Sequence, residues 1–338
     1  MAHISREPAD LLKLADIHPE LAAQLDKRKS LPPEARNPDS IRILYEQLNQ
    51  SYLESFGPDS ALGVEIEDRT VSARDGYEIP IRTYRPASAK EPGPLIISIH
   101  GGALVMGGLT DEEAHCRLFV RTFGASCVNI DYRLAPQYKQ PTQANDCWDV
   151  VKWAAAHAAD LGANPSEKGF LVQGVSAGAI LVDIVTRLAR DERLEPPVTG
   201  QMQIATAVCD AEAIPERFRS QFLSWDQDMT GSLRKEAIQR SRIARGANPH
   251  DQWTSPMVAW PTGNAGLPRT LLLVHGREYF RDVGLIYEKI LREEEGIETK
   301  LYVYPGLHHG FHIELHGGEA SKAHQRDMLE GMRWLLRL

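Results

Sequence analysis

The chain has few cysteines and lacks any long apolar run. Its 338 residues include four cysteines, which are scattered and form no Cys-x-x-Cys pair. We therefore expect reduced thiols rather than a disulfide framework. No stretch approaches the roughly 20 apolar residues of a membrane span. The charged N-terminus also lacks the apolar core of a signal peptide. These absences predict a cytoplasmic protein without a membrane span.

Clusters of basic residues are missing as well. Lys and Arg total 38 against 46 Asp and Glu, which gives a formal net charge of −8 at pH 7. A binding surface for nucleic acid needs a basic patch or stripe, so this balance argues against a nucleic-acid partner. Hydrophobic residues make up 42% of the chain, which is enough for a substantial core.

From residue 94 onward, short apolar segments alternate with helical patterns. Apolar runs typical of buried strands occur at 94–102, 125–133, 169–174, 199–210, 269–276 and 299–306. Before them, 63–73 and 77–86 alternate apolar and polar residues around Arg-Asp-Gly, which is a hairpin pattern. Alternating strands and helices indicate an α/β protein with a mostly parallel sheet covered on both faces.

Two regions depart from this alternation. Residues 8–57 have helical patterns, with a proline near each helix start, and 211–265 have no strand–helix alternation. We expect the second region to lie over the sheet as a cap, which the first could join. The predicted domains are 1–60 (N-terminal helical part of the cap), 61–210 (first part of the core), 211–265 (cap insertion) and 266–338 (second part of the core).

The stretch QGVSAGA places Ser176 between two glycines, after one apolar segment and before another. On a sharp strand-to-helix turn, a serine hydroxyl is exposed above the sheet edge, and small neighbours let the two backbones approach. The following helix directs its first amides toward the same place, which favours a developing oxyanion. We interpret Ser176 as a nucleophile; a purely structural turn is the alternative.

A nucleophilic serine needs a base, which follows it in the chain in this type of fold. His308 and His309 come directly after the strand pattern at 299–306, where a parallel sheet presents its chemistry. His275 lies inside an apolar strand pattern and is predicted to be a core residue. The surrounding stretch HHGFHIELH fits no standard zinc template, so we expect no metal.

The acid and the oxyanion donors are expected after other strands. Glu278 and Asp282 follow the apolar run at 269–276 and are the candidate acids. The stretch SIHGGALVMGG at 98–108 is rich in glycine, so its backbone amides could approach a substrate without a Cβ between them. A flexible connection is the alternative interpretation of that loop.

Several separate stretches resemble motifs of the hormone-sensitive-lipase-like family of α/β-hydrolase esterases. The similar stretches are HGGALVMGG (its HGGG loop), DYRLAPQYKQPTQANDCWDVVKW (its Tyr-Arg-Leu-Ala-Pro segment), GVSAG (its nucleophile elbow), TSPMVAW (the end of its cap), REYFRDVGLIYEKIL (its acid loop) and GLHHGF (its histidine loop). They occur in the family's order. The resemblance implies the α/β-hydrolase fold, with a mostly parallel eight-stranded sheet flanked by helices and a helical cap.

Matching the motifs residue by residue implies a catalytic triad. Ser176 matches the nucleophile, His309 the base and Glu278 the acid, with Asp282 as the alternative acid. Glu278 stands where an aspartate is commoner in the family, so the acid loop departs from the usual pattern.

The resemblance also implies an oxyanion hole formed by the amides of Gly101, Gly102 and Ala177. Ala103 replaces the usual third glycine of the loop. This substitution keeps the backbone amide and narrows the part of the site expected to hold the acyl group. We expect substrate contacts from this residue and from others in the loop, the elbow and the cap: Ala103, Leu104, Val175, Phe222 and Trp225. For the cap aromatics, packing between cap and body is the alternative.

These assignments predict hydrolysis of a short-chain acyl ester, such as that of a bulky natural product, through an acyl-enzyme and without a cofactor. Alternatives on the same scaffold are a biosynthetic cyclase, dehydratase or acyl transferase, an amidase similar to kynurenine formamidase, and a small-molecule receptor. The gibberellin receptors resemble this family but lack the histidine, so His309 argues against a receptor. The family often pairs through its last strand and helix, which makes a homodimer an expectation.

Overall fold

The computed structural model describes residues 5–29, 38–55, 63–88, 91–229 and 234–338. The predicted boundary between residues 60 and 61 lies outside these residues, as do parts of the helical region predicted at 8–57.

One eight-stranded sheet forms the centre of the structure, in the order β1-β2-β4-β3-β5-β6-β7-β8. β2 pairs antiparallel with β1 and β4, and all other neighbours are parallel. The strands are β1 (Val64–Ser72), β2 (Glu78–Pro86), β3 (Leu95–Ile99), β4 (Ser126–Ile130), β5 (Phe170–Val175), β6 (Gly200–Ile204), β7 (Arg269–Arg277) and β8 (Thr299–His308). The predicted α/β-hydrolase fold is confirmed.

Helices cover both faces of the sheet. In the described residues they are α1 (Pro8–Lys13), α2 (Pro19–Lys29), α3 (Pro38–Glu54), α4 (Glu113–Phe123), α5 (Thr142–Ala156), α6 (Pro165–Lys168), α7 (Ala177–Asp191), α8 (Lys235–Ala244), α9 (Pro256–Ala259), α10 (Arg281–Lys289), α11 (Phe311–Glu314) and α12 (Glu319–Leu336). Short 3-10 turns occur at Ala211–Ala213, Glu216–Gln221 and Ser224–Asp226, and a π turn at Ile290–Glu294.

The core consists of apolar layers on the two sides of the sheet. One layer includes Trp148 of α5 and Ile180 of α7, and another includes Phe119 of α4 and Met328 of α12. Because both faces are covered, every residue of β3 and β4 is buried, including the polar residues Ser98, Ser126 and Asn129.

Some predicted elements have different ends. The strand predicted at 199–210 stops at Ile204, because the next residue, Ala205, has a φ of 54° and turns the chain out of the sheet. β8 continues past the predicted residue 306, and His308 pairs with Arg277 of β7 after a shift in register. The helix predicted at 142–162 ends at Ala156, where the chain continues as turns.

The N-terminal helices attach to separate places. α1 lies against the 3-10 turn at 216–221, α2 packs on β8, and α3 packs on α4 and α11. Tyr52 of α3 is buried with Ala114 and Ile313.

Within the part of the chain that the structure describes, no helix combines the length and apolar character required to cross a bilayer. The four-part domain division stays a prediction.

Candidate active site

Ser176 lies on a strained turn between β5 and α7, with φ 58° and ψ −115°. The two flanking glycines are required by close backbone contacts. A Cβ on Gly178 would lie 2.1 Å from the carbonyl oxygen of Ile99, and one on Gly174 would lie 2.7 Å from the carbonyl carbon of Gly178. Strand, turn and helix can therefore meet only with glycine at these positions, and the serine hydroxyl is left at the sheet edge.

Ser176, His309 and Glu278 form a continuous hydrogen-bonded chain. His309 Nε2 is 2.9 Å from Ser176 Oγ, and His309 Nδ1 hydrogen-bonds to Glu278 Oε2. His309 follows β8 directly and Glu278 follows β7, so the parallel pairing of these strands brings both to the same edge as the elbow. Phe280 packs edge-on against the His309 ring, with 6.1 Å between the ring centroids.

Asp282, the alternative acid, occupies a different position. Its Oδ1 accepts from Arg281 Nε at 2.6 Å. Its Oδ2 accepts from the backbone amides of Leu223 and Ser224, each at 2.6 Å. The carboxylate is buried and holds residues 223–224 in place. The structure therefore puts Glu278 rather than Asp282 against the histidine.

The histidines of the HHGFHIELH stretch are directed to different partners. His308 Nε2 is 3.0 Å from Glu314 Oε2, and His316 Nε2 is 3.0 Å from Ser51 Oγ. His312 is buried and stacks on His324, with 4.4 Å between centroids and 8° between planes. Among the histidines of this stretch, His309 is the one placed against Ser176.

A group of buried histidines lies behind the triad. Ring nitrogens of His275, His312 and His324 lie within 4.8 Å of one another, and His275 is in the core, as predicted. Parallel stacking directs the in-plane lone pairs of His312 and His324 alongside each other, so they do not converge on one ion as tetrahedral ligands do. Burial lowers the pKa of all three rings well below its usual value, and the neighbouring histidines lower it further.

The glycine-rich loop after β3 lies beside the serine. A Cβ on Gly101 would be 3.6 Å from Ser176 Cβ, which puts this backbone next to the hydroxyl. Gly102 has a φ of 94° and its carbonyl accepts from the amides of Val105 and Met106, both at 3.0 Å. The next residue, Ala103, has a φ of 58°. The predicted oxyanion donors Gly101, Gly102 and Ala177 are thus grouped around the elbow.

A stacked pair of rings supports this loop from below. His100 and Tyr132 stack with 4.1 Å between their centroids. The Tyr132 hydroxyl donates to the carbonyls of His100 and Gly101, at 2.9 and 3.1 Å. Burial lowers the pKa of His100 to about 4, so its ring is neutral and its Nδ1, 2.8 Å from the Gly101 carbonyl, is a donor there.

A cavity of about 420 Å³ opens above Ser176. Its wall combines the glycine-rich loop, the segment after β4, the elbow with α7, the segment between β6 and β7, and one residue after β7: Ala103, Val105, Met106, Ala135, Pro136, Ser176, Ala177, Ile180, Ala207, Cys209, Asp210, Ala237, Ile238, Arg240, Ser241, Ala244, Arg245, Thr254 and Phe280. The size and the mostly apolar wall are typical of a site for a small organic molecule.

Of the residues expected to contact substrate, the structure brings one to the cavity wall. Ala103 lines the cavity. Leu104 is fully buried in the core, and Val175 is buried within β5. Phe222 and Trp225 pack against α10 and its neighbours and border a separate surface depression. None of these four residues is part of the cavity wall: three are buried in packed clusters, and Trp225 is half-buried against one of them.

Sequence reasoning missed helix α8, which forms part of the cavity wall. α8 contributes Ala237, Ile238, Ser241 and Ala244 to the wall, followed by its C-cap residue Arg245. These positions recur at intervals of three and four, which places them on one face of a helix. The pattern is visible in KEAIQRSRIARG and would have identified the face.

An eight-stranded α/β sheet with a serine on such an elbow, hydrogen-bonded to a histidine and a carboxylate at its edge, defines an α/β-hydrolase. A family model described as the α/β hydrolase fold matches residues 96–313. The chain belongs to this family, in its hormone-sensitive-lipase-like branch.

The chain is similar to proteins of this family over nearly its whole length. It is 30% identical to an AB hydrolase superfamily protein of Schizosaccharomyces pombe, covering 96% of this chain and 95% of that protein. It is 28% identical to the versiconal hemiacetal acetate esterase of Dothistroma septosporum, covering 88% and 89%. A crystal structure of vibralactone cyclase is 29% identical, covers 96% of both chains and has a TM-score of 0.87.

Proposed function

We propose that the protein is a serine carboxylesterase that hydrolyses a short-chain acyl ester through an acyl-enzyme. The observation that carries this proposal is the chain from Ser176 Oγ through His309 to Glu278, with 2.9 Å between the hydroxyl and Nε2. Similarity to a protein named as an acetate esterase also supports it.

In the first half of the reaction, His309 Nε2 takes the proton of Ser176 while Oγ attacks the ester carbonyl carbon. The amides of Gly101, Gly102 and Ala177 stabilise the oxyanion that forms. Glu278, hydrogen-bonded to Nδ1 of His309, fixes the tautomer of that ring and stabilises the imidazolium that forms. The imidazolium then protonates the leaving alcohol, and the acyl group stays on Oγ.

In the second half, water enters the position of the alcohol and His309 takes its proton. The hydroxide attacks the acyl carbon, the same amides stabilise the second oxyanion, and Ser176 leaves with the proton from His309. Because Ala103 and Met106 line the wall beside the elbow, we assign a short acyl chain to this side and a larger alcohol, such as that of a natural product, to the space under α8.

Cyclisation is a second candidate, favoured by the similarity to vibralactone cyclase. The same acyl-enzyme could be opened by a hydroxyl of the bound acyl group, with His309 taking its proton, to give a lactone instead of an acid. The two reactions differ only in the nucleophile that reaches the acyl carbon. Exclusion of water by the apolar wall would favour the internal nucleophile.

The first test is hydrolysis of p-nitrophenyl acetate, butyrate and octanoate. We expect turnover to be fastest for the shorter esters and to fall by about 10⁴-fold or more in Ser176→Ala. Ser220→Ala, which changes an exposed serine, is the control and should match the wild type. Turnover that survives in Ser176→Ala would exclude the proposed nucleophile.

A second test separates hydrolysis from cyclisation. p-Nitrophenyl 6-hydroxyhexanoate can yield 6-hydroxyhexanoic acid or the corresponding lactone, and mass spectrometry distinguishes them. We expect the acid, with one ¹⁸O atom when the reaction is run in H₂¹⁸O. Lactone formed in excess of the Ser176→Ala background would favour the cyclase.

A further inference from the structure

Arg245 brings a positive charge into the otherwise mostly apolar cavity. It is the C-cap residue of α8, and its carbonyl accepts from the Gln140 amide at 3.1 Å, which fixes its backbone against the body of the protein. The residue is part of the wall of the cavity that opens above Ser176, and it is only 7% exposed.

The Arg245 guanidinium has no partner among the described residues. Its Nε is buried without a hydrogen bond, and no carboxylate of the described chain lies within ion-pair distance. The carboxylate in the same wall, Asp210, is already engaged by Arg242 Nε at 3.2 Å and by the amide of Glu212 at 3.0 Å. The other cationic residue of the wall, Arg240, is exposed.

Burying a charge without a partner is unfavourable, and proteins usually pair such groups or place them at binding sites. Burial lowers the pKa of Arg245 to about 10, while Asp210 opposes that shift, so the guanidinium is charged at neutral pH. The free protein therefore holds a desolvated cation at the wall of the cavity that a substrate would occupy.

We propose that Arg245 is a specificity-determining residue that binds a negatively charged group, such as a carboxylate, on the ester substrate. This inference rests on the proposed esterase function and adds the charge of the substrate to it. A planar guanidinium can donate two parallel hydrogen bonds to a carboxylate. Because the cavity is apolar elsewhere, the remainder of the substrate is expected to be hydrophobic.

Matched pairs of esters test the proposal for either side of the scissile bond. On the acyl side, p-nitrophenyl hydrogen adipate is compared with p-nitrophenyl hexanoate, in which a methyl group replaces the carboxylate. On the alcohol side, 4-acetoxybenzoate is compared with 4-methylphenyl acetate. For each pair we measure the ratio of kcat/KM, charged over neutral, and subtract the rate of Ser176→Ala.

We expect this ratio, for at least one pair, to fall by about 10- to 100-fold in Arg245→Met, because charge-assisted hydrogen bonds are lost. Arg245→Lys keeps the charge without the planar fork and should give an intermediate ratio. Arg234→Met removes an exposed charge from the N-cap of α8, outside the cavity wall, and should change the ratio less than about twofold, since solvent and salt screen it.

Two outcomes would overturn the proposal. One is a ratio in Arg245→Met that equals the wild-type ratio for both pairs. The other is an equal fall in Arg234→Met, which would assign the effect to the general electrostatic field around α8. Thermal unfolding supplies a separate readout: loss of an unpartnered buried charge should leave Tm unchanged or raise it, whereas loss of a structural ion pair would lower it. If Arg245→Met does not fold, Arg245→Gln replaces it.

A binding measurement keeps this inference separable from the esterase proposal. Benzoate and benzamide have the same shape and differ in charge, and calorimetry can compare their binding to the wild type and to Arg245→Met. Preferential benzoate binding that disappears in the variant would support the anion site even if no ester is hydrolysed. Equal binding of both compounds by the wild type would exclude it.

Discussion

At the residue scale, the acid of the proposed triad is a glutamate whose carboxylate has a hydrogen-bond partner on one oxygen only. Glu278 is 1% exposed; its Oε2 hydrogen-bonds to His309. Its Oε1 has no hydrogen-bond partner among the described residues and lies 4.0 Å from His275 Nδ1. The Glu278 carboxylate therefore has its side-chain hydrogen bond to His309, whereas Asp282, four residues later, forms an ion pair with Arg281.

These two carboxylates should respond differently to amidation. Glu278→Gln is expected to lower kcat for p-nitrophenyl acetate by about 10³- to 10⁴-fold with little change in Tm, because the amide no longer stabilises the imidazolium. Asp282→Asn should reduce the free energy of unfolding by about 3 kcal/mol, since it leaves Arg281 buried without its partner.

Kinetics and thermal unfolding of both variants distinguish the roles. The folded fraction of Asp282→Asn should retain the larger part of its activity. If Asp282→Asn loses turnover at unchanged Tm and Glu278→Gln keeps its turnover, then Asp282 would be the acid that acts on His309 and Glu278 would have the structural role.

At the element scale, the approach of β3, β5 and α7 depends on Gly178. A Cβ there would lie 2.1 Å from the Ile99 carbonyl oxygen and 2.7 Å from that of His100. We expect Gly178→Ala to lower the free energy of unfolding by about 2 kcal/mol or more, because α7 must move away from β3. Urea denaturation measures this change.

Gly108→Ala is the matched control. A Cβ at Gly108 meets its nearest atom, Asp131 Oδ1, at an ordinary 3.7 Å, so its stability should differ from that of the wild type by less than about 1 kcal/mol. Equal destabilisation of both variants would contradict the argument from close backbone approach.

The same scale shows what sequence patterns reveal and what they miss. The turn at Ser176 was recognisable because strand, glycines and helix are adjacent in the chain. Phe222 and Trp225 are expected near the substrate from their aromatic side chains and their place in the predicted cap, with packing as the alternative, and in the structure they pack against an apolar cluster. Arg245 was overlooked because a single arginine on a polar helix carries no local sign of burial.

At the scale of the whole molecule, buried histidines make stability depend on pH. The pKa values of His275, His312 and His324 lie well below the usual value, chiefly because burial disfavours the charged ring. In the unfolded chain these rings take up protons below about pH 6.5. The unfolded state therefore binds more protons, and stability falls as the pH drops from about 6.5 toward the lowered folded values.

We expect each ring to contribute a slope of about 1.4 kcal/mol per pH unit below that point. His324→Phe keeps an aromatic ring in the same packing but cannot take up a proton. It should therefore reduce the slope of unfolding free energy against pH by the contribution of one ring. His250→Gln changes an exposed histidine and should leave it unaltered. The measurement is urea unfolding at several pH values between about 4.5 and 8, a range that includes the pH at which free imidazole titrates. An unchanged slope in His324→Phe would contradict the prediction.

The sequence by itself determined the order of strands and helices, the elbow at Ser176, and the strand-end positions of His309 and Glu278. Those features depend on neighbouring residues and on chain order, which a sequence displays directly. Only the tertiary structure decided that Glu278 rather than Asp282 contacts the histidine, which histidines are buried together, and that Arg245 is buried in the cavity wall. Such outcomes depend on packing between segments far apart in the chain, where burial and partner choice are set by the whole fold.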